Sequence, residues 1–452
     1  MRYFPPKLLA GCIGLLLLGK SGIVAQNPVI RDQFTADPSA RVFDDRVYLY
    51  PSHDIVAAKG RGREGWFCME DYHVFSSSDL IHWTDHGVIV SQNKVKWVDS
   101  TKYSMWSPDC FSRNGKYYFY FPSLAKDTIY GRGFSIGVSV SDQPAGSFTS
   151  EHEPIKNVHG IDPNVFIDND GQAYLYWSAR NIYVAKLKEN MLELDSDPQI
   201  INNLPEEGLK EGPYVFERNG KYYLTYPHVD NKTERLEYAI SDNPMGPFRV
   251  SGVIMDELPG GCWTNHQSII LFREQWYLFY HNNDLSPKFD KNRSVRIDSL
   301  FFNDDGTIQK VIPKLRGVGV SPASQKIEID RFSRKSETGC TVVFLDTLNT
   351  FNGWKTILDK KDAWIQYNTV EFGIAKNKKV EVKVSAKTGG TLCVRLDNAD
   401  GPILSEIKVP ASEDWITVTS RVSRYEEGIH NLVIVLKTDE PVEIDWIRFI
   451  IN

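Results

Sequence analysis

The chain repeats one pattern of apolar and polar positions five times before about residue 325. In each copy an apolar strand runs into a tight polar turn and an aromatic strand returns, as in the stretch from His159 to Trp177. Such a pattern is typical of a β-hairpin. The first aromatic residue of the returning strand stands at Tyr48, Tyr118, Tyr174, Tyr223 and Tyr277. Because a period of roughly 50 to 70 residues suits a four-stranded blade, the pattern predicts a five-bladed β-propeller over residues 27–325.

A different pattern follows the repeats. Short alternating strands separated by turn signals predict a β-sandwich of the jelly-roll type over residues 338–452. The clearest of these strands are Val380–Val384, Leu392–Leu396, Leu432–Leu436 and Ile444–Phe449. The stretch between about 312 and 336 is interpreted as the last propeller strand and a linker. A length of 452 residues also exceeds the roughly 250–300 residues of a single core, so this all-β chain is expected to form two domains.

Residues 1–25 have the tripartite pattern of a secretory signal peptide. Basic residues precede an apolar run from Leu8 to Leu18, and small residues close the segment. The run is shorter than the ~20 residues that a spanning helix needs, so we expect no transmembrane segment and a secreted or periplasmic protein. Anchoring as a lipoprotein at Cys12 is the less favoured alternative, because the apolar stretch follows this cysteine when it should precede it.

The charge and composition of the chain limit which classes of molecule it can be expected to bind. Removing residues 1–25 takes away three positive charges and no acids, so the formal charge falls from −6 to −9 and no nucleic-acid partner is expected. Aromatic residues make up 12% of the chain, and their faces could stack on sugar rings as well as fill β cores. The cysteines beyond residue 25 show no CxxC spacing. We therefore expect buried free thiols in place of a disulfide framework or a zinc site.

An ionisable residue opens the first strand of every repeat. It stands nine to twelve residues before the aromatic anchor, at Asp37, Asp109, Asp162, Glu211 and His266. The innermost strands of a propeller converge on one central channel, so we expect several carboxylates to share one small pocket. A single Asp-Pro pair would be most simply a turn signal. Five ionisable residues in register favour a functional site.

The motifs around these residues resemble glycoside hydrolase family 43. They are Asp37-Pro38-Ser39-Ala40, Trp106-Ser107-Pro108-Asp109, Asp162-Pro163-Asn164-Val165 and Glu211-Gly212-Pro213-Tyr214. The resemblance covers roughly residues 27–320 and implies a five-bladed propeller enzyme that hydrolyses glycosidic bonds with inversion. It implies that Asp37 is the general base and Glu211 the general acid. Asp162 would orient the acid and modulate its pKa.

The chemistry of inversion agrees with those roles. One ionised carboxylate must deprotonate a water molecule and one protonated carboxyl must protonate the leaving oxygen, about 6.5–9.5 Å away. A Glu that acts as acid must stay protonated near neutral pH, and the charge of Asp162 together with partial burial would raise its pKa. Glu206 and Glu207 compete for the acid role. The register of the repeats and the following Gly-Pro favour Glu211.

Other residues near the strand starts are assigned to substrate or metal. The candidate substrate contacts are Trp66, Trp106, Trp263, Asp109 and Arg293. Core packing is the default for any single Trp, and an ordinary surface position is the alternative for Arg293. The resemblance implies a metal ion, such as calcium, in the propeller channel, held in part by His266; a histidine that is simply hydrogen-bonded is the alternative. Because calcium prefers oxygen ligands, the imidazole would act through water or as one weak ligand, and no organic cofactor is expected.

The second domain is similar to a family-6 carbohydrate-binding module. The resemblance is carried by Trp364-Ile365-Gln366-Tyr367, Val370-Glu371-Phe372-Gly373, Gly389-Gly390-Thr391 to Leu396, and Ile444-Asp445-Trp446. Glu443 departs from the pattern, since an Asn is common before Ile-Asp-Trp. The fold is therefore predicted more firmly than sugar binding.

These features predict a secreted enzyme that releases a terminal pentose from plant cell-wall polysaccharide or oligosaccharide, such as arabinoxylan or arabinan. The domain pairing and the insertion Trp66-Phe67-Cys68-Met69 resemble arabinofuranosidases and favour α-L-arabinofuranose. A β-xylosidase of the same family is the alternative. A non-catalytic glycan-binding protein is the alternative of another class. It would have no use for three acids in one pocket, because unpaired acids repel one another and cost stability.

Overall fold

A computed structural model describes residues 27–258, 261–313, 317–329, 332–346, 354–373, 377–424 and 426–451. The predicted signal peptide and Cys12 lie outside these residues. The described residues form β-strands and two 3-10 helices, at Gln92–Lys94 and Thr128–Tyr130. No helix among them is both long and apolar enough to cross a membrane.

Five antiparallel sheets follow one another along the chain and form the blades of a propeller. The first blade contains β1 (Phe34–Phe43), β2 (Arg46–Asp54), β3 (Asp71–Ser77) and β4 (Thr84–Ser91). The second contains β5 (Asp109–Arg113), β6 (Lys116–Leu124), β7 (Phe134–Ser141) and β8 (Thr149–Ser150). The third contains β9 (Ile161–Ile167), β10 (Ala173–Ala179), β11 (Asn181–Leu187) and β12 (Gln199–Ile200).

The last two blades continue the same order. The fourth contains β13 (Tyr214–Arg218), β14 (Lys221–Val229), β15 (Glu234–Ser241) and β16 (Arg249–Met255). Among the described residues the fifth contains β17 (Ser268–Phe272), β18 (Gln275–Asn282) and β19 (Ser294–Leu300). Every aromatic anchor lies in the second strand of its blade, where it pairs with the first, so the five predicted hairpins are confirmed.

The ring closes between the first and the last blade. The first strand of each blade faces the channel, and β1 contacts both β5 and β17. The start of the described chain lies along β19, where the Val29 N–H donates to the Val295 carbonyl at 2.9 Å. The Asn27 side chain exchanges two hydrogen bonds with the Ile297 backbone, at 3.1 and 2.9 Å. Blade 5 is thereby joined to the segment that leads into blade 1.

Apolar side chains pack between the blades. Among the described residues of the propeller five buried clusters occur, and each joins two neighbouring blades. Phe119 of blade 2, for example, packs with Tyr50 and Tyr72 of blade 1. This packing explains the aromatic returning strands, because both faces of a blade are covered by its neighbours. All five cysteines of the described part are buried and free, as predicted.

The second domain is a sandwich of two sheets. One sheet contains β20 (Ser321–Pro322), β22 (Arg334–Lys335), β25 (Trp364–Glu371), β27 (Gly390–Leu396), β28 (Ile403–Val409) and β30 (Ile429–Leu436). The other contains β21 (Ile327–Glu328), β23 (Cys340–Phe344), β24 (Trp354–Leu358), β26 (Asn377–Ala386), β29 (Ser412–Arg421) and β31 (Val442–Ile451). Buried apolar side chains of both sheets, such as Leu392 and Ile447, form one core between them.

The structure moves the start of the sandwich toward the N-terminus. Ser321 and Pro322 pair with β25, and Ile327 and Glu328 pair with β31. Residues that we assigned to the propeller and to a linker are therefore edge strands of the second domain. Pro-, Gly- and Lys-containing sequence concealed these two-residue strands, which are too short to show an alternating pattern.

Candidate active site

Four of the five ionisable residues that open the repeats line one cavity. Its volume of about 180 Å³ equals roughly six water molecules, a size that suits a single sugar ring. Its lining consists of Asp37, Trp66, Phe67, Met69, Trp106, Ser107, Ile161, Asp162, Glu211, Trp263, Thr264, Asn265, His266 and Arg293. Because these residues come from all five blades and from the loop after β2, the fold itself assembles the cavity.

Asp37 is held as a carboxylate. A β-bulge in β1 interrupts the pairing around this residue, and its side chain reaches the cavity. Arg293 Nη1 donates to Asp37 Oδ1 at 2.7 Å, and Ser52 Oγ donates to Oδ2 at 2.7 Å. Burial is the largest single influence and opposes ionisation, but the charge of Arg293, the neighbouring imidazoles and the Ser52 hydrogen bond together outweigh it and lower the pKa of Asp37 to about 2. Asp37 is therefore ionised at neutral pH, as a general base must be.

Arg293 is fixed by a second carboxylate. Its Nε and Nη2 donate to the two oxygens of Asp54 at 2.9 Å each, in a bidentate arrangement that leaves Nη1 for Asp37. The guanidinium also lies over the Phe67 ring, 4.7 Å from its centroid. Arg293 is 3% exposed, so the alternative of an ordinary surface arginine is wrong. Asp54 was missed because it ends a second strand, outside the register of the first strands.

His281 was also missed, and it orients the backbone of Asp37. The Asp37 N–H donates to His281 Nδ1 at 3.0 Å. The proton of this imidazole therefore lies on Nε2, which is 3.0 Å from the Thr264 carbonyl. Burial lowers the pKa of His281 to about 3, so the ring is neutral at working pH. The uncharged ring positions Asp37 without a second positive charge.

Asp162 holds the backbone beside Glu211. The Gly212 N–H donates to Asp162 Oδ2 at 2.9 Å. Burial and the neighbouring charge of Glu211 raise the pKa of Asp162 well above its ordinary value. The arrangement couples the two acids in both position and charge. It is the contact expected of a residue that orients the general acid.

A further carboxyl lies against Glu211. Glu234, at the start of β15, is 2% exposed, and its Oε2 accepts a hydrogen bond from the Asn265 N–H at 2.6 Å. Its Oε1 is buried and accepts no bond from an amide, a hydroxyl or a cation in the described residues. The carboxyls of Glu234 and Glu211 interact directly, and two neighbouring buried carboxyls favour a state in which one of them carries a proton.

This carboxyl pair retains a proton. Burial raises the pKa of both Glu211 and Glu234, and their mutual repulsion adds to the effect on Glu234. The pair titrates as a unit, so its last proton is lost at higher pH than from an isolated Glu. Glu234 was missed because it opens the third strand of its blade. The register of first strands cannot reveal it.

The backbone at the strand starts is strained. Asp37 has φ of 43° and Asp162 has φ of 56°, and each precedes a proline. Left-handed backbone at a non-Gly residue costs on the order of 1–3 kcal/mol, and a following proline disfavours it further. At Gly212, φ is 53° and an added Cβ would lie 2.9 Å from the Pro227 ring. Strain that recurs at the catalytic candidates indicates that the surrounding fold imposes their geometry.

His266 fits a limited role in metal binding. Its ring nitrogens lie 3.3 and 3.4 Å from Ser107 Oγ, and Nδ1 is 3.9 Å from Asp37 Oδ1. Burial lowers the pKa of His266 to about 4, so the neutral ring can offer one nitrogen. Within the described residues it belongs to no group of three metal-binding side chains. One neutral nitrogen is compatible with a cation whose other ligands are mostly water, so the calcium ion at His266 stays a prediction.

Aromatic residues form the walls of the cavity. Trp66 and Trp263 are 40% and 38% exposed, so each presents an open face to a ligand. Trp106 is partly buried, and its ring packs against Phe134 at a centroid distance of 4.5 Å. An open indole face stacks on a sugar ring, whereas a packed one shapes the wall. Trp66 and Trp263 are thus the stronger candidates for stacking.

The structure corrects the predicted role of Asp109. This residue does not line the cavity, and its side chain is 2% exposed. Its carboxylate accepts hydrogen bonds from Arg41 Nε and Nη2, Ser39 Oγ, Asn164 Nδ2 and the N–H groups of Cys110 and Val165. Both oxygens are fully engaged, so Asp109 is unavailable to a sugar. With Arg41 it ties blades 1, 2 and 3 together.

Known proteins share this architecture. Residues 25–308 match the sequence profile of Glycosyl hydrolases family 43, and residues 339–450 match that of Carbohydrate binding module (family 6). The chain belongs to glycosyl hydrolase family 43. This family 43 protein is therefore a glycosidase, which decides against the non-catalytic alternative. The β-sandwich is the module that we predicted.

Relatives cover either the propeller or nearly the whole chain. Xylosidase/arabinosidase 43A of Humicola insolens is 36% identical over 332 residues, which is 62% of this chain and 98% of that protein. A beta-xylosidase/alpha-arabinofuranosidase from a compost microbial metagenome, solved with xylotriose in a calcium-free form, is 35% identical, with a TM-score of 0.57 over 63% of this chain and 97% of that one. An arabinoxylan arabinofuranohydrolase from Bacillus subtilis, solved with cellotetraose, is 25% identical, with a TM-score of 0.55 over 94% and 97%.

Proposed function

We propose that this family 43 glycosidase removes a terminal pentose from arabinoxylan or a related plant polysaccharide by inversion. The observation that carries the proposal is the small cavity in which Asp37, Asp162 and Glu211 meet. A cavity with room for one sugar ring suits exo action at a chain end or side branch. The relatives named xylosidase, arabinosidase or arabinofuranohydrolase support a pentose.

Each carboxyl takes one step of the reaction. Asp37, kept ionised by Arg293, removes a proton from the attacking water as that water bonds to the anomeric carbon. Glu211 gives its proton to the glycosidic oxygen as the bond to the leaving group breaks. Asp162 holds the backbone at Gly212, and Glu234 holds the proton beside Glu211 until it is transferred.

A calcium ion at His266 remains a prediction. With its other ligands from water, it would add positive charge near Asp37. His266 would supply one neutral nitrogen and the cavity would supply room for solvent. No proton transfer is assigned to it.

The favoured sugar is α-L-arabinofuranose. The arabinofuranohydrolase relative resembles this chain across both domains, whereas the relatives that cover the propeller alone carry xylosidase names as well. The deciding experiment compares arabinose and xylose released from arabinoxylan, arabinan and linear xylooligosaccharides. Arabinose from arabinoxylan with no xylose from xylooligosaccharides supports the proposal. Xylose release from unbranched chains would assign the β-xylosidase activity.

The stereochemistry of the product is predicted to be inverted. Asp37 and Glu211 belong to blades 1 and 4, which blade 5 separates on the shorter way around the ring. Carboxyls on non-adjacent blades leave room for a water molecule, unlike the ~5–5.5 Å spacing of a retaining pair. Proton NMR of the first-formed sugar from an aryl arabinofuranoside should show the inverted anomer before mutarotation. The retained anomer, or a covalent adduct on Asp37, would make Asp37 a nucleophile.

We predict that the carbohydrate-binding module acts by keeping the enzyme bound to the polymer. Ending the chain at Val320 removes the sandwich, including the edge strands that begin at Ser321. We expect loss of binding to insoluble arabinoxylan and an aryl-pentoside kcat/KM within about two-fold of the full chain, because the module raises only local concentration. A pull-down and initial rates measure the two effects. A folded truncation that has lost aryl-pentoside activity would show that the sandwich helps to build the active site.

A further inference from the structure

Two histidines and an aspartate form a compact group on blade 1, outside the catalytic cavity. The β2–β3 register pairs Val47 with Ser77 and Leu49 with Phe75. Further along the same two strands His53 contacts Asp71, and His73 lies two residues beyond Asp71 on β3. One candidate ligand atom from each of the three side chains lies within 4.8 Å of the other two. The two imidazole centroids are 4.9 Å apart.

The group is preorganised by a second carboxylate. His73 Nδ1 lies 3.0 Å from both oxygens of Asp85. Asp85 is itself fixed by the Gly87 N–H at 2.7 Å and by Gln33 Nε2 at 3.0 Å. A carboxylate that binds one nitrogen of a histidine sets the orientation of the ring and leaves the other nitrogen for a metal. For His73 that nitrogen is Nε2.

The donor set selects a class of ion. We propose that His53, Asp71 and His73 bind a divalent transition-metal ion of the zinc type, with water completing the coordination. Two imidazoles and one carboxylate suit zinc and its neighbours, whereas calcium and magnesium prefer oxygen. Ligands about 2.1 Å from an ion lie up to roughly 4.2 Å apart. Small side-chain rotations therefore suffice to close the site.

The site is accessible and already holds its ligands together. The side chains of His53, Asp71 and His73 are 16–18% exposed, so an ion can enter from solvent. His53 Nδ1 and Asp71 Oδ1 are 2.6 Å apart. A metal would replace the proton between them, because a ligating nitrogen must be deprotonated.

A metal here would brace one wall of the catalytic cavity. The loop from Ile55 to Glu70 joins the two ligand strands and carries Trp66 into the cavity. His53 also immediately precedes Asp54, the carboxylate that fixes Arg293. The ion would hold both ends of the loop together. The expected functional effect is on KM for oligosaccharides, with little change in kcat.

The competing explanation is two independent ion pairs without a metal. His53 pairs with Asp71, and His73 pairs with Asp85. The experiment uses the full chain after chelator treatment and dialysis. Zinc binding is measured by isothermal titration calorimetry, and the d–d absorption of bound Co²⁺ reports the ligand set. His82→Gln is the matched control, because His82 is 62% exposed and pairs with Asp79 in the same blade.

We expect one zinc ion per chain in the parent and in His82→Gln, with at least ten-fold weaker binding in His53→Gln and in His73→Gln. Asp85→Asn should weaken binding ten- to hundred-fold without removing a ligand, as outer partners do. His266→Gln is the control for zinc binding in the propeller channel, and it should bind zinc as the parent does. No zinc binding by the parent, unchanged affinity in the folded His53 and His73 variants, or loss of binding in His266→Gln alone would overturn the proposal.

Discussion

Replacing Asp37 by Asn is expected to lower kcat by at least two orders of magnitude for every substrate. An amide cannot remove a proton from water, and general-base assistance contributes roughly 10²–10⁴-fold. The substitution keeps the shape of the side chain: the amide oxygen can accept from Arg293, and the amide N–H can donate to the Ser52 hydroxyl, which can accept as well as donate. We expect an unchanged fold. Steady-state kinetics with aryl and natural substrates, together with a thermal melt, measure these effects.

A small anionic nucleophile provides the control for Asp37→Asn. Azide needs no general base, so it should restore turnover of an activated aryl pentoside and form a glycosyl azide of inverted configuration. It should not accelerate the parent protein. Near-parent rates in Asp37→Asn without azide would remove Asp37 from the base role. A glycosyl azide of retained configuration would instead indicate attack on a covalent intermediate.

Most of the propeller could be predicted because its information is local and repeated. The hairpins of all five blades follow from turn residues and aromatic strands, and these patterns do not depend on distant contacts. The register then predicts that Asp37, Asp162, Glu211 and His266 surround the channel. Because the pattern repeats, the position of the ionisable residue in each copy supports the assignment of the residue in the other copies.

The same register led to a wrong prediction for Asp109, which was expected to contact substrate. The register shows where a strand begins, but it does not show whether the side chain there reaches the cavity. Asp109 meets Arg41, a partner from another blade, and becomes part of the scaffold. The residues that tune the site were invisible for a related reason. Asp54, Glu234 and His281 lie on second and third strands, and contacts within and between blades bring them to the candidate catalytic carboxylates. No short-range sequence pattern records those contacts.

The prediction of the boundary between the domains was wrong for a third reason. The strands β20 and β21 have two residues each, and their stability comes from the edges of sheets formed by much later sequence. A two-residue strand has no period to detect. The composition of the segment indicated a linker, whereas its pairing partners make it part of the sandwich.

Replacing Glu211 by Gln should produce a loss that depends on the leaving group. A poor leaving group needs its oxygen protonated, so kcat on arabinoxylan is expected to fall at least 100-fold. An aryl glycoside with an acidic phenol leaves without that proton and should lose far less. Rates across a series of substituted aryl glycosides measure the difference. An equal loss for all leaving groups in a folded variant would contradict the acid role.

Glu234→Gln tests whether Glu234 helps Glu211 to retain its proton or only supports the structure around it. While both carboxyls are present, loss of their last proton leaves two adjacent negative charges in a buried place, and this cost keeps the pKa of the pair high. The amide removes one of those charges, so Glu211 alone should lose its proton at lower pH. We therefore expect the alkaline limb of kcat/KM to move toward acid, with the acid limb unchanged because Asp37 and its Arg293 contact are untouched. A purely structural role would lower rates evenly across pH and across leaving groups. If the alkaline limb does not shift in folded Glu234→Gln, then Glu234 does not help to retain the proton, and only Glu211 and Asp162 do.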